Sequence, residues 1–345
     1  MKLGLILGYG GKRIDFPMDL VLKAESLGYD SVWTAEAWGA DAVSAASWVL
    51  AQTTKIKVGT AIMQMSARTP AMTAMTAMTL SQLSNNRFVL GLGASGPQVV
   101  EGWHGARYGK PMTRTREYIQ IVKEIFAREK ALEFDGEMYQ IPNRGKGTTG
   151  LGKPLKSILE GNSDIPVYTA SITPAGLVCA GEFADGVFPV WMSPDQCELI
   201  GDNVGKGINR AEGKNIRDFE VAPFVSVVLG DDVKACMDAL RPGLALYIGG
   251  MGGKDKNFYN DYAVRMGYEV EAKKIQDLYL SGDKIQAAAL VPDELVDEVF
   301  LVGPKARIEE RAQRWKVAGE NGQVGAMLLG VRQPEVLEIM AKVML

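Results

Sequence analysis

One pattern governs the chain: a short apolar run, a glycine-containing turn, then an amphipathic helix, repeated from end to end. The apolar runs fall at residues 3–8, 31–35, 55–63, 87–93, 165–170, 185–190, 219–229 and 324–330. They do not alternate polar with apolar, which is the mark of strands buried on both faces. The helix signals between them are local and physical. Pro17 opens a helix on which Leu20, Ala24 and Leu27 share a face, and Gly28 ends it. Thr69-Pro70 and Thr173-Pro174 each supply an N-cap hydroxyl and a first-turn proline. Pro111 opens a long helix with Tyr118, Ile121, Val122, Ile125 and Phe126 on one side. Eight strands alternating with helices point to a parallel sheet, and eight is the number that closes it into an α/β fold of the TIM-type (β/α)8 barrel.

Two stretches break the rhythm and read as insertions in a single barrel domain spanning 1–345. Residues 131–160, between strands 4 and 5, carry a hairpin around Asp135-Gly136 and then a Gly/Lys/Thr loop. Residues 231–298, between strands 7 and 8, are mostly helical. Their acidic end, 293–298, reads as a solvated helix, and Met72, Met75 and Met78 as a helix face filling a core gap.

Composition narrows the function. Thirty-eight Lys+Arg against 41 Asp+Glu give a net charge of −3, which argues against a nucleic-acid partner. A single histidine and three scattered cysteines exclude a multi-histidine or cysteine-rich metal site and give no disulfide framework. The apolar start is too short for a signal peptide, and no window approaches a membrane span. The expectation is a cytoplasmic protein, away from membranes, acting on a small molecule with no bound metal.

In a barrel the chemistry sits in the turns after the strands. The fourth turn, Gly91-Leu92-Gly93-Ala94-Ser95-Gly96, matches GxGxxG. Pro97 and Gly102 interrupt the helix that a dinucleotide fold needs there. What remains is a backbone that a flat ring or an anion can approach closely, or a tight turn that needs glycine. Thr169-Ala170-Ser171-Ile172-Thr173-Pro174 offers a phosphate site at a helix N-terminus, or simple capping. Glu36, next to Ala37 and Trp38, and His104, in Glu101-Gly102-Trp103-His104-Gly105, are candidate acid/base groups. An exposed glutamate explains the first equally well, and for the second an ordinary hydrogen-bonded loop histidine is the more frequent case.

The run GLGASGPQVVEGWHG at 91–105 resembles the bacterial-luciferase-like superfamily, in the branch that uses coenzyme F420, a 5-deazaflavin. RTPAMTAMT at 68–76, PVYTAS at 166–171, YIGGMG at 247–252, NFYN at 257–260 and IQDLY at 275–279 extend the resemblance over the whole chain. It implies an F420-dependent oxidoreductase, with an FMN-dependent monooxygenase or a non-catalytic flavin carrier as alternatives, and a homodimer. It implies a non-prolyl cis peptide at Ala61–Ile62 that bulges the backbone against the ring. Ala94, Ser95 and Gly96, with Gln98 after them, line the ring and its ribityl chain. Ala170, Ser171 and Ile172 meet the phosphate, and Glu36 contacts the deazaflavin head. Sugar-phosphate dehydrogenases of this branch carry a histidine where this chain has Ala37 and a glutamate where it has Gly96. His104, Glu101 or Glu36 must then handle any proton. Trp38, Trp103 and Trp191 are the expected substrate-pocket walls, and Arg13, Lys146, Lys153 and Lys156 the cations for the coenzyme's anionic tail.

Overall fold

A computed structural model describes residues 1–8 and 12–345. The barrel strands are β1 (Lys2–Ile6), β2 (Ser31–Thr34), β3 (Lys57–Thr60), β4 (Phe88–Gly93), β5 (Val167–Ala170), β6 (Gly186–Phe188), β7 (Glu220–Val221 continuing as Phe224–Leu229) and β8 (Ala326–Gly330). Each is followed by an outer helix: α1 (Met18–Ser26), α2 (Ala42–Gln52), α3 (Pro70–Leu83), α4 (Pro111–Ala127), α5 (Pro174–Phe183), α6 (Glu198–Ile208), α7 (Lys305–Glu320) and α8 (Pro334–Met344).

All neighbouring strands are parallel, and the sheet curls until β8 pairs with β1 through Lys2↔Ala326 to Leu5↔Leu329. β7 joins the two edges. On one side Glu220, Ala222 and Phe224 donate backbone bonds to Asp185, Val187 and Pro189 at 3.0, 2.9 and 3.2 Å; on the other Val221 and Pro223 accept from Gly325 and Leu328, both at 2.9 Å. Pro223 has no N–H to offer, and that is where the strand breaks into two pieces.

The barrel interior is filled. Trp33, Tyr168 and Phe188 meet there with Leu328 and Val89, the Trp33 and Phe188 rings lying edge to face at 4.9 Å. Gly59 makes room for them, since a Cβ on it would lie 2.2 Å from the Trp33 ring. With the interior filled by side chains, the turns after the strands are the place for a ligand.

The insertions have distinct anchors. The hairpin Phe134–Asp135/Gln140–Ile141 is held by Glu117 of α4, whose buried carboxylate accepts from the backbone N–H groups of Glu137, Met138 and Tyr139 at 2.9, 2.8 and 3.1 Å. The segment 231–298 contains seven short helices and contributes Ile248, Tyr262 and Ile275 to the same buried cluster as β1 and β4.

Three details depart from the sequence reading. A short strand, Leu301–Gly303, pairs with the end of β7 where β7 leaves β8. The acidic helix Asp293–Val299 is not a solvated element. It buries Leu295, Val296 and Val299, and its carboxylates bond Arg241, Arg307, Arg311 and Tyr268. On α3 only Met78 points inward, while Met72 and Met75 are 51% and 53% exposed.

Candidate active site

The ends of β3 and β4 form a wall of small groups. The Ala61–Ile62 peptide is cis. Beyond it the two residues Met63–Gln64 pair with β4, Met63 opposite Leu92 and Gln64 opposite Gly93. Ile62 lies over Gly93 so closely that a Cβ there would be 2.6 Å from Ile62 Cδ1. Ala94, Ser95 (φ +60°) and Gly96 then turn across the mouth, half-buried, and Pro97–Val100 forms a single helical turn. The backbone is therefore open to a flat ligand. Gln98 is exposed beside it.

Glu36, beyond β2, is already committed. Its carboxylate accepts both arms of the Arg68 guanidinium at 2.9 and 3.0 Å, and the backbone N–H groups of Ala42 and Gln64, both at 3.1 Å. Arg68 also bonds Asp41, the N-cap of α2. Burial alone would raise the Asp41 carboxyl, but its Ser44 bonds and the Arg68 charge hold it below the usual carboxylate range. Burial pulls the Arg68 guanidinium down, and Glu36 and Asp41 more than restore it. A bidentate pair with its remaining lone pairs satisfied is a fixture of the wall. Its acceptor sites are occupied, which leaves Glu36 poorly placed to take a proton from a ligand.

Of the other two acid/base candidates, Glu101 is exposed and accepts from Tyr108 N in its own loop at 3.2 Å. His104 is half-buried, and its Nε2 stands 3.2 Å from Gln64 Oε1. Trp38 and Trp103 are 54% and 66% exposed, whereas Trp191 is 8% exposed.

At β5 the Thr173 hydroxyl caps α5 by accepting from Gly176 N at 3.1 Å. The Ser171 hydroxyl converges on the same turn: a Cβ on Gly176 would be 2.9 Å from both oxygens. Ala170 is exposed and Ile172 buried. The long insertion reaches this point, with Arg265 donating to Ile172 O at 2.7 Å. It also meets β6, where Trp191 packs against Tyr247 and Tyr259 with ring centroids 5.6 and 5.5 Å away. Tyr247 lies in a π-helical turn, Leu246–Gly250. The carbonyls of Tyr247 and Ile248 accept from Asn257 Nδ2 at 3.1 and 2.9 Å, and Ile248 O also from Asn260 at 3.1 Å. Gly249 packs on the Tyr279 side chain. Three separate sequence motifs thus meet in one aromatic wall.

Arg68, Gln64, Arg265, Tyr247 and Tyr259 have no role in the sequence reading, although Arg68, Tyr247 and Tyr259 stand in quoted motifs. Lys156 does not serve the mouth: its ammonium bonds Glu129 O past the C-terminus of α4, at the opposite end of the barrel. Among the described residues no group of three or more His, Cys, Asp or Glu converges as for a metal, and no helix is long and apolar enough to cross a membrane.

A family model described as luciferase-like monooxygenase matches residues 2–321. A Mycobacterium tuberculosis protein provisionally named a coenzyme F420-dependent oxidoreductase is 43% identical over 322 residues, 92% of this chain and 93% of its own. The coenzyme F420-dependent tetrahydromethanopterin reductase of Methanopyrus kandleri superposes with a TM-score of 0.77 at 20% identity, covering 99% of this chain and 97% of that one. The oxygenating constituent of 3,6-diketocamphane monooxygenase of Pseudomonas putida, solved with FMN, gives 0.65 at 18% identity, covering 100% and 97%.

Proposed function

This chain belongs to the luciferase-like monooxygenase family, and on that premise we propose that it is a coenzyme F420-dependent oxidoreductase acting by hydride transfer on a small organic substrate. The observation that carries the reading is the small-residue wall at Ala61–Ile62 and Ala94-Ser95-Gly96, beside the hydroxyl-lined first turn of α5. The residues present fit the coenzyme. A flat ring needs a backbone it can approach without side chains in the way, and the end of β4 provides one. A phosphodiester needs N–H dipoles and hydroxyls, which Ser171 and Thr173 supply at a helix N-terminus.

When bound, the deazaflavin supplies a two-electron carrier that gives or takes a hydride at one ring carbon. The chain's part is to hold the partners in register and keep water out. In this reading Trp191, Tyr247 and Tyr259 form the apolar wall of the substrate pocket, with Trp38 and Trp103 at its exposed rim. Glu36 and Arg68 brace the β2–β3 side. His104 handles the proton that accompanies the hydride.

The cofactor is tested by fluorescence titration with oxidised F420 and, in parallel, FMN. Saturable tight binding of F420 without FMN is expected, and the reverse would assign the chain to the FMN-dependent enzymes. Replacing His104 by Gln should lower kcat by about 10²–10⁴-fold with an F420-coupled substrate, while F420 affinity stays within a few-fold. Equal losses in both would make His104 a binding residue.

A further inference from the structure

Gln64 is fully buried at the mouth of the barrel, a costly place for a carboxamide unless both its ends are bonded. Its neighbours Met63 and Met65 belong to the core between sheet and helices. Strand alternation therefore turns Gln64 to the opposite side, toward the mouth. Its backbone N–H is fixed by Glu36, which Arg68 holds in turn. Its side-chain nitrogen donates to Ala37 O, and its oxygen faces His104 Nε2 at 3.2 Å.

These contacts leave little choice of orientation. Ala37 O can only accept, so the amide must present its NH2 to that carbonyl and its oxygen to the imidazole. An amide oxygen can only accept as well. His104 Nε2 must then carry a hydrogen, and in the neutral ring Nδ1 is the unprotonated nitrogen. We propose that Gln64 is a positioning residue that locks His104 in the Nε2–H tautomer, making Nδ1 the atom that exchanges protons with substrate.

The part about substrate rests on the oxidoreductase reading; the tautomer does not. The charged groups nearby do not compete for the ring. Glu36, Arg68 and Asp41 are bonded to one another behind Gln64, Glu101 turns to Tyr108 N, and among the described residues no carboxylate forms an ion pair with His104.

Because the chain has one histidine, 15N labelling of histidine gives a single imidazole to follow by NMR, in the cofactor-free protein and without any substrate. Above its midpoint the neutral ring of the wild type should show a protonated Nε2 and an unprotonated Nδ1, with no averaging between tautomers. Gln64→Leu should give averaged ring signals. Gln64→Glu meets Ala37 O with the O–H of a protonated carboxyl and keeps its other oxygen as the acceptor for Nε2, so the Nε2–H tautomer is retained. Averaging in Gln64→Leu together with retention in Gln64→Glu is a pattern that general loosening of the fold would not produce. A neutral wild-type ring protonated at Nδ1 overturns the proposal. So does a folded Gln64→Glu variant whose neutral ring averages between tautomers, whether or not Gln64→Leu folds. Loss of F420 binding in the wild type would overturn the enzymatic reading and leave the tautomer result standing.

Discussion

Arg68 and Glu36 stabilise the wall chiefly because each would be costly alone. The Glu36 side chain is 8% exposed and the Arg68 side chain 18%. Replacing Arg68 by Met strands the carboxylate and should cost roughly 3–5 kcal/mol, read as a lower urea midpoint. Arg68→Lys should recover only part of this, because an ammonium cannot donate the parallel pair of bonds. The double variant Glu36→Gln/Arg68→Met should be less destabilised than Arg68→Met, since the unpaired charge has gone. A second residue makes a pH statement. Burial first, and the Lys123 charge second, push Lys214 down from 10.5 to about 8, against the pull of Asp185 and Glu182. Between those two values the unfolded chain binds the proton and the folded chain does not, so this residue makes stability rise with pH from about 8 to 10.5. Below that window its penalty is constant. Urea unfolding at pH 7, 8, 9 and 10 should show the wild type gaining on Lys214→Met as pH rises; parallel curves would refute the assignment. Neither residue's role is legible in the sequence. His104 and Glu36 stand out by residue type and motif, whereas Arg68 and Gln64 acquire meaning only through partners 27 to 40 positions away.

Elements were more legible than residues, for reasons of range. Capping is local: Thr69 and Thr173 each accept from the N–H three residues on, as Thr-Pro at a helix start implies. Thr173→Ala should cost about 1 kcal/mol, and more of the effect should appear in F420 affinity than for Thr69→Ala, whose helix start is not the one proposed to meet the phosphate. Buried parallel strands are legible because their apolar runs have no other use. Leu301–Gly303 escaped notice because three apolar residues between two helices look like any core-facing stretch. The π-helical turn is also a matter of range, since its freed carbonyls are met by Asn257 and Asn260, ten and twelve residues later. Asn257 also caps the next helix by accepting from Tyr259 N and Asn260 N. Asn257→Leu removes both functions and takes the side-chain donor from the Tyr247 carbonyl, while Ile248 O keeps its bond from Asn260, at roughly 1–3 kcal/mol. The local signature should be faster amide exchange through 246–250 and 258–261 with β4 unchanged. Uniform acceleration across the molecule would instead mean that the turn is not an independent unit.

At the scale of the whole molecule, the surface of the barrel is uneven. The outer helices α4 and α7 carry charges along their solvent faces, as lone helices on a soluble barrel do. α2 and α3, eleven and fourteen residues long, carry none at all. Between them they expose Trp48 (58%), Met72 (51%), Met75 (53%) and Leu83 (79%). Met72 and Met75 lie on the solvent side of a helix whose inner side is already filled by Thr73, Ala74, Ala77 and Met78, so core packing does not account for them. Large exposed apolar groups on two uncharged helices call for a partner surface. A second copy of the chain offers the same surface about a two-fold axis. We propose that two copies of the chain pair through this surface. Size-exclusion chromatography with light scattering should report twice the 37.4 kDa chain mass for the wild type. Trp48→Glu combined with Met75→Glu should give a monomer, because two charges per copy would have to be buried opposite their own images. The mouth of the barrel is built from the turns after β2 to β6 and the 231–298 insertion, all within one copy. The monomeric variant should therefore still bind F420, with affinity within a few-fold of wild type. A dimer that survives both substitutions would move the interface off α2 and α3.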